Sequence, residues 1–173
     1  DMEQQEPRIM AMLSGDPAMK ADIVAGKDLY KQAVRDFGLN DRDAGKTVEL
    51  GLGYGMSAWG LARRVGISED QARAGIHRRN RRYPVVVEWG HKQVAMAQSL
   101  DYVKSTMGRR VWINRYARYG GADRNAINSP VQTTAAEQTK LWQNLLHKWC
   151  RDEGYDYSIC LAVHDEVVAD VPL

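Results

Sequence analysis

Apolar residues recur with a helical period over most of the first hundred positions of this chain, and helix start and stop signals divide them into segments. Pro17 follows a short polar break and suits the first position of a helix, whereas Ser68 offers an N-cap and Pro84 an end. The pattern predicts helices over 28–37, 41–55, 69–82 and 85–105.

The last third of the sequence predicts one long helix followed by a β-hairpin. Ser129 and Pro130 match the N-cap and first position of the helix. Its inward face is predicted to contain Val131, Ala135, Gln138, Trp142, Leu145 and Trp149. In the hairpin, two apolar strands between Tyr157 and Val171 flank the polar tip His164-Asp165-Glu166. Upstream, Gly108-Arg109-Arg110 is predicted to form a turn between two short extended pieces.

Composition places the chain among globular proteins. With 173 residues, 44% of them hydrophobic and 27% charged, it can form a core, which excludes disordered, collagen-like and disulfide-scaffold proteins. Cys150 and Cys160 are predicted to be free thiols in an intracellular protein. No apolar run approaches the roughly 18 residues of a membrane span, and no targeting segment is visible. Because residue 1 is Asp, we interpret the sequence as cut from something longer.

Charge is distributed unevenly along the chain. The total is +2, but residues 63–124 carry 14 basic and 5 acidic groups, whereas residues 1–62 carry 7 and 10 and residues 125–173 carry 3 and 7. A basic centre between acidic ends favours a chain that binds a polyanion centrally and holds carboxylates, with or without metal ions, on its flanks. The alternative is a helix face on which arginines are merely solvated.

The hairpin tip is a candidate cation site. A turn that lifts two carboxylates out of a sheet concentrates negative charge, and Mg²⁺ prefers such oxygen ligands. A second carboxylate source would be needed, and Asp1 and Glu6, close to the apolar stretch 9–13, are candidates at an adjacent strand end. Taken alone, the tripeptide is more often a polar turn without a role.

A second constellation lies in residues 42–55. Arg42, Lys46, Leu50 and Tyr54 recur every four residues and would form a ridge about 18 Å long on a helix. The order of two cations, an apolar residue and an aromatic suits a nucleoside triphosphate lying along it. Glycines 51, 53 and 55 would each cost about 1 kcal/mol inside a helix, so a close approach or a bend at Tyr54 should favour them. The alternative is an ordinary amphipathic helix with a glycine cap.

Arg124, Asn128 and Gln132 form a third set, again at steps of four residues. Their guanidinium and amide groups could contact bases, sugars or phosphates, or could cap the following helix.

In order and spacing, these segments resemble the polymerase domain of family A DNA polymerases, the DNA polymerase I type. Residues 1–8 (DMEQQEPR) resemble motif A in a phage-like form, residues 42–55 resemble motif B (R-x3-K-x7-Y-G), and His164-Asp165-Glu166 resembles motif C. The segments RYP at 82–84, GRR at 108–110 and INSPVQTTAA at 127–136 also fit, so the resemblance covers essentially the whole chain.

The resemblance implies the following roles. Two Mg²⁺ ions would be held by Asp1, Asp165 and the backbone carbonyl of Met2, with Glu166 in support. The catalytic residues would be Asp1, Asp165 and Lys46, the last stabilising or protonating the leaving group. The nucleotide site would comprise Glu6, Arg42, Lys46, Leu50 and Tyr54, with Glu6 excluding a ribose 2′-hydroxyl. Primer–template contacts would come from Arg124, Asn128, Gln132 and His164.

The sequence departs from the family pattern in places. Leu50 stands where an aromatic residue is usual, so the resemblance at this position does not settle how the site discriminates between sugars. Tyr30 stands where a phosphate-contacting His is common, and Thr133 replaces a usual Gly. The thumb and the upstream palm strand would precede Asp1.

The resemblance also implies a fold class, α+β, with an antiparallel palm sheet and a mostly helical fingers subdomain. We expect palm at 1–15 and 107–173 and fingers at 16–106. The partners would be primer–template DNA and deoxynucleoside triphosphates, for a monomer in a bacterial or phage-infected cytoplasm with no membrane association. Without a thumb, the isolated segment is expected to bind DNA weakly and not to extend a primer.

Three alternatives accompany this interpretation. A single-subunit RNA polymerase shares the Asp, Lys with Tyr-Gly, and His-Asp arrangement, although Glu6 and Glu166 favour the DNA enzyme. A non-catalytic nucleic-acid-binding remnant would need little beyond the basic stretch 77–82. A metal-dependent phosphohydrolase is disfavoured because the four histidines lack HExxH spacing.

Overall fold

The computed structural model describes residues 3–117, 120–163 and 166–171. These residues form a mostly helical fold with two small antiparallel sheets, which confirms the predicted α+β class. The helices are α1 (Gln5–Ser14), α2 (Pro17–Val24), α3 (Leu29–Phe37), α4 (Arg42–Gly53), α5 (Ala58–Val65), α6 (Glu69–Arg82), α7 (Pro84–Leu100) and α8 (Gly121–Asp152). The strands are β1 (Tyr102–Lys104), β2 (Arg110–Trp112), β3 (Ser158–Val163) and β4 (Glu166–Asp170).

Side-chain caps define where many of the helices begin. In each case a carboxylate or hydroxyl accepts a hydrogen bond from a backbone N–H of the first turn, which otherwise has no intrahelical partner. The capping residues of α2 to α6 are Asp16, Asp28, Asp41, Ser57 and Ser68. The helices predicted over 28–37, 41–55 and 69–82 are therefore confirmed to within a few residues.

Apolar clusters join these helices. One packs α1, α2 and α7 against α8 around Met19 and Val131, and a second packs α3 to α6 around Phe37 and Leu61. A third encloses Val103 of β1 between α7 and α8. Most of the helical elements thus form a continuous packed body that can hold side chains from α1, α4 and α8 in fixed relation.

Helices α3 and α4 approach closely at Gly45. A Cβ atom there would lie 2.2 Å from the carbonyl oxygen of Tyr30 and 2.8 Å from the Val34 side chain, which no side chain could tolerate. Only glycine therefore fits, and the contact holds the N-terminal end of α4 against α3. The sequence pattern did not single out this residue.

Helix α8 corrects two predictions. It begins at Gly121 rather than after Ser129, so Pro130 lies inside it and Ser129 is not its N-cap. Proline removes one backbone hydrogen bond, but Ala126 is fully buried and Ile127 packs on the first cluster, so tertiary contacts maintain the helix upstream of it.

The inward face predicted for α8 holds only in its first part. Val131 and Ala135 are buried, whereas Trp142 is partly buried and Gln138, Leu145 and Trp149 are exposed. The reason is that packing partners for this face are provided by α1, α7 and β1 near the start of the helix.

Three further predictions involve strands. The helix predicted over 85–105 ends at Leu100, because the chain turns at Asp101 and forms β1, which pairs with β2. Gly108 and Arg109 lie between the two strands as predicted, but Arg110 is the first residue of β2 and pairs with Lys104. The C-terminal hairpin is confirmed, with β3 antiparallel to β4. Glu6 does not end a strand: it lies in the first turn of α1.

Cys150 and Cys160 are free thiols, as predicted.

Candidate functional site

The ridge on α4 forms as predicted, with its polar end exposed and its aromatic end partly buried. Asp41 caps the helix through the Ala44 N–H at 2.8 Å, which places Arg42 and Lys46 on its first two turns. Both cationic side chains are exposed, and Lys46 makes no ion pair with the residues that the structure describes. The ridge therefore ends in positive charge that is accessible to an anionic ligand.

At the other end of the ridge, three side chains from three helices meet in a hydrogen-bonded cluster, here called the polar junction: Glu6 of α1, Tyr54 at the end of α4 and Gln132 of α8. The Tyr54 hydroxyl donates to Glu6 Oε2 at 2.6 Å. Gln132 Nε2 donates to Glu6 Oε1 at 2.7 Å and to the Tyr54 oxygen at 3.1 Å. Two predicted nucleotide-site residues and one predicted primer–template residue are thus in direct contact.

The polar junction holds Tyr54 in its protonated form. Burial raises the pKa of the Tyr54 hydroxyl, and its hydrogen bond to Glu6, together with the carboxylate charge, raises the pKa further. The hydroxyl therefore remains a donor to Glu6 over the whole physiological pH range, so the carboxylate is fixed from two sides.

Arg124 and Asn128 lie on α8 two turns and one turn before Gln132. Asn128 lines a small cavity together with Glu6, Leu50 and Tyr54, and its Oδ1 atom is buried without a hydrogen-bond partner among the described residues. Arg124 packs against Gly55, where an added Cβ would lie 3.0 Å from its Cγ.

Gly55 adopts a positive φ of 69° immediately after α4 ends. The positive φ and the close approach of Arg124 agree with the prediction that glycine is favoured near Tyr54 by a bend or a close approach. All three members of the Arg124 set therefore lie beside the C-terminal end of α4.

The Arg42 end of the ridge contains residues that the sequence motifs did not identify together. Arg42 Nε donates to Asp28 Oδ2 at 2.6 Å, and the guanidinium carbon lies 5.0 Å from the centre of the Tyr30 ring. The hydrogen bond to Asp28 is the main cause that raises the pKa of Arg42. Burial acts to raise the pKa of Asp28, but its hydrogen bonds from Arg42 and from the backbone outweigh burial and lower it. The only sequence signal for Asp28 is its position as the N-cap of α3.

A larger cavity of about 540 Å³ lies beyond the C-terminal end of α4. Its walls come from α1 and from α4 to α8, including Met10, Leu52 and Trp89. Polar and basic side chains at its margin are Arg73, His77, Asn80 and His91. The volume falls in the range typical of small-molecule sites.

Most arginines of the basic stretch 77–82 form ion pairs or hydrogen bonds with other residues of the protein. Arg79 is buried and forms an ion pair with Glu49 of α4. Arg82 pairs with the Asp36 carboxylate, and Arg78 donates to the Asp36 carbonyl oxygen. Three of its arginines therefore connect α6 to α3 and α4, which weakens the alternative in which this stretch alone binds nucleic acid.

Several predicted site residues lie outside the described residues: Asp1, Met2, His164 and Asp165. Glu166 is described; it opens β4, is exposed and pairs with Val163 across the hairpin. Within 3–117, 120–163 and 166–171, no three His, Cys, Asp or Glu side chains cluster as a metal site would require. No helix in these ranges combines the length and apolar character needed to cross a bilayer.

Comparison with known proteins finds relatives named DNA polymerase I. The chain is 35% identical to DNA polymerase I of Chloroflexus aurantiacus and 33% identical to DNA polymerase I of Pseudomonas aeruginosa, in both cases over 99% of the chain. It spans about a fifth of the length of each of these relatives.

A solved structure is also similar: the POL domain of Pol1 from M. smegmatis in complex with DNA primer-template and dNTP, with a TM-score of 0.88 and 30% identity. The match covers 99% of this chain and 32% of that one. The sequence model of DNA polymerase family A matches residues 1–173, and the chain therefore belongs to this family.

Proposed function

We propose that this chain is part of a template-directed DNA polymerase that adds deoxynucleotides to a primer 3′-hydroxyl. The observation that carries the proposal is the polar junction, because it joins predicted nucleotide-site residues to a predicted primer–template residue. Membership of family A supports it, as does the likeness to a polymerase domain solved with primer-template and dNTP.

The nucleotide lies along α4. Arg42 and Lys46, exposed at one end, bind the triphosphate, while Leu50 and Tyr54 lie near the sugar and base. Lys46 stabilises or protonates the pyrophosphate leaving group. Glu6 excludes a 2′-hydroxyl, a role that suits a carboxylate held by two hydrogen bonds.

Arg124, Asn128 and Gln132 follow the primer–template minor groove beside the new base pair, and His164 contacts the primer terminus. Amide groups can accept and donate hydrogen bonds there without adding charge. The buried Oδ1 atom of Asn128, which has no hydrogen-bond partner among the described residues, is consistent with a contact supplied by the nucleic acid.

Two magnesium ions complete the proposal. Asp1, Asp165 and the Met2 carbonyl would hold them, with Glu166 in support, and such hard oxygen donors match the preference of Mg²⁺. When bound, the ions neutralise charge on the reacting phosphates. Of these residues only Glu166 is described, and its exposed carboxylate at the start of β4 is compatible with that supporting role.

We further propose that residues 1–15 and 107–173 belong to the palm and 16–106 to the fingers of a monomeric cytoplasmic enzyme. The bacterial sources of the similar DNA polymerases support this location. The phage-like form of the first motif stays a prediction. Because the chain spans a fifth of such relatives, activity is to be measured in a polymerase that contains it.

The test is Asp165→Asn in that polymerase. The substitution keeps the size of the side chain but removes its charge, so the single-turnover incorporation rate should fall about a hundredfold or more. DNA affinity, measured by a binding titration, should stay nearly unchanged. Asp170→Asn is the matched control, since Asp170 is an exposed acid on the same hairpin. A large loss of DNA affinity with normal chemistry would contradict the proposal.

A single-subunit RNA polymerase is the second candidate, since it shares the arrangement of Asp, Lys with Tyr-Gly and His-Asp. The two differ in the sugar they accept. If Glu6 excludes the 2′-hydroxyl, deoxynucleotides should be incorporated in strong preference to ribonucleotides, and the reverse preference would favour the RNA enzyme.

A further inference from the structure

Asp28 uses its two carboxylate oxygens for two different tasks. Oδ1 caps α3, accepting hydrogen bonds from the backbone N–H groups of Tyr30 at 2.9 Å and Lys31 at 3.2 Å. Oδ2 accepts from Arg42 Nε at 2.6 Å. The cap fixes the carboxylate relative to α3. The hydrogen bond to the second oxygen then fixes the side chain of Arg42, the first residue of α4, relative to α3 as well.

The guanidinium of Arg42 is thereby held on two sides. Asp28 binds it through Nε, and the Tyr30 ring lies 5.0 Å below its central carbon. Neither Nη group makes a hydrogen bond with any residue in the described ranges, and 42% of the side chain is exposed. A guanidinium fixed in this way presents its two Nη groups together, the edge that binds phosphate oxygens in pairs.

The support under this arrangement is rigid. Gly45 lets α4 approach α3 so closely that an added Cβ would overlap the Tyr30 carbonyl oxygen. Tyr30 itself is buried, with 5% of its surface exposed. The relative position of Asp28, Tyr30 and Arg42 is therefore set by packed backbone and not by flexible surface side chains.

We propose that Asp28 is a positioning residue for nucleotide binding, which holds Arg42 by Nε so that its Nη edge faces the incoming triphosphate. This inference rests on the proposed function, in which Arg42 binds the triphosphate. Asp28 itself touches no substrate; it reduces the conformational freedom that Arg42 would otherwise lose on binding.

Asp28→Asn separates the two tasks of this residue. Asparagine is an equally good N-cap, so Oδ1 can still bind the N–H groups of α3, but an amide NH₂ cannot accept from Arg42. In a polymerase that contains the chain, we expect the apparent dissociation constant of the nucleotide to rise about threefold to tenfold in single-turnover kinetics. The maximal incorporation rate should change less than about twofold, because the chemical step is not touched.

Asp41→Asn is the matched control. Asp41 also caps a helix, precedes Arg42 in the chain and makes no ion pair with the described residues. The substitution removes the same charge from the same neighbourhood, so nucleotide affinity should stay at its original value if Asp28 acts through its contact. Asp28→Ser, which also retains capping ability, should reproduce the effect of Asp28→Asn. Unchanged melting temperature and DNA affinity show that the variants are folded.

A double-mutant cycle tests whether Asp28 acts on nucleotide binding through Arg42. In an Arg42→Ala background, Asp28→Asn should have no further effect on nucleotide affinity. An equal loss in both backgrounds overturns the positioning role, and so does unchanged or tighter nucleotide binding by Asp28→Asn when Arg42→Ala weakens it. If Arg42→Ala leaves nucleotide affinity unchanged, the triphosphate role of Arg42 fails first, and the positioning role fails with it.

Discussion

Two arginine–carboxylate pairs involve helix α4, and they differ in how many N–H donors of each guanidinium are hydrogen-bonded to the carboxylate. On the inner face, Arg79 Nε donates to both carboxylate oxygens of Glu49, and Nη2 donates to Oε1 at 2.6 Å, with both side chains only 6% exposed. At the N-terminal end, Arg42 contacts Asp28 through Nε, with its other donors facing solvent.

This difference separates an arginine whose donors are used within the protein from the one proposed to bind the triphosphate. Burial acts to lower the pKa of Arg79, but the Glu49 charge and hydrogen bonds outweigh it and keep the guanidinium charged. Such a pair has little capacity for a ligand, whereas Arg42 retains Nη donors that make no hydrogen bond with the described residues and that a phosphate can bind. An arginine count along the chain cannot distinguish the two.

The largest expected effect comes from breaking the buried pair. Glu49→Ala leaves the Arg79 charge buried without its carboxylate and should lower the free energy of unfolding by about 3–5 kcal/mol. Urea unfolding of a polymerase that contains the chain measures it. Asp28→Asn should cost far less stability, because its partner is exposed to water.

Glu49→Leu combined with Arg79→Met provides the control for that prediction. It removes both charges and fills the space, so it should recover most of the stability lost in Glu49→Ala. If Glu49→Ala alone is nearly neutral, the buried pair does not fix α4 to α6, and the contrast with Arg42 fails.

A smaller effect is expected at the polar junction. Tyr54→Phe removes the hydroxyl that donates to Glu6, while Gln132 keeps its own bond to the same carboxylate. The expected loss of stability is about 1.5–3 kcal/mol, as for a hydrogen bond to a charged group. Thermal melting measures the change, and Tyr116→Phe, at an exposed tyrosine, is the control. Equal melting temperatures for both variants would show that the junction adds no stability.

The smallest expected effect is a loss of folding stability at alkaline pH, caused by Tyr30. Burial, with the nearby Glu6 and Glu49 charges, raises the pKa of Tyr30 from 10 to about 12. The folded state therefore keeps this proton when the unfolded state releases it, so the stabilisation is present below pH 10 and is lost as pH rises towards 12.

By pH 11 the loss from Tyr30 is about 1 kcal/mol. Tyr30→Phe removes this contribution, so its stability should fall less between pH 9 and pH 11 than that of the parent. Parallel urea titrations at these two pH values measure the difference. Identical slopes against pH would mean that Tyr30 ionises as easily in the folded protein as in the unfolded chain.

Local signals predicted most elements of the fold. Ser68, Pro17 and the two consecutive apolar runs of the hairpin act through neighbours in sequence, and the structure has the corresponding caps and strands. Predictions failed where distant packing decides. Pro130 lies inside α8 because contacts upstream of it maintain the helix, and Glu6 lies on a helix although a strand end was expected.

The candidate site also combines residues that the sequence identified with contacts that only the folded structure shows. Arg42, Lys46 and Tyr54 follow from a four-residue spacing, and the motifs identify Glu6 and Gln132 through their resemblance to a family. No local pattern shows that Tyr54 and Gln132 share one carboxylate, since these residues are 48 and 126 positions from Glu6. Only folding brings them into hydrogen-bond range. The metal-binding prediction at Asp1 and Asp165 lies outside the described residues and stays a prediction.

The sequence by itself determined the family, the order of its motifs, the capped helices and the charged end of α4, because each depends on residue identity at short or fixed spacing. The tertiary structure alone decided which arginines are buried in ion pairs, which glycine admits a neighbouring helix, and which carboxylate holds Arg42. Those outcomes depend on burial and on contacts between distant segments, which form only when the helices pack.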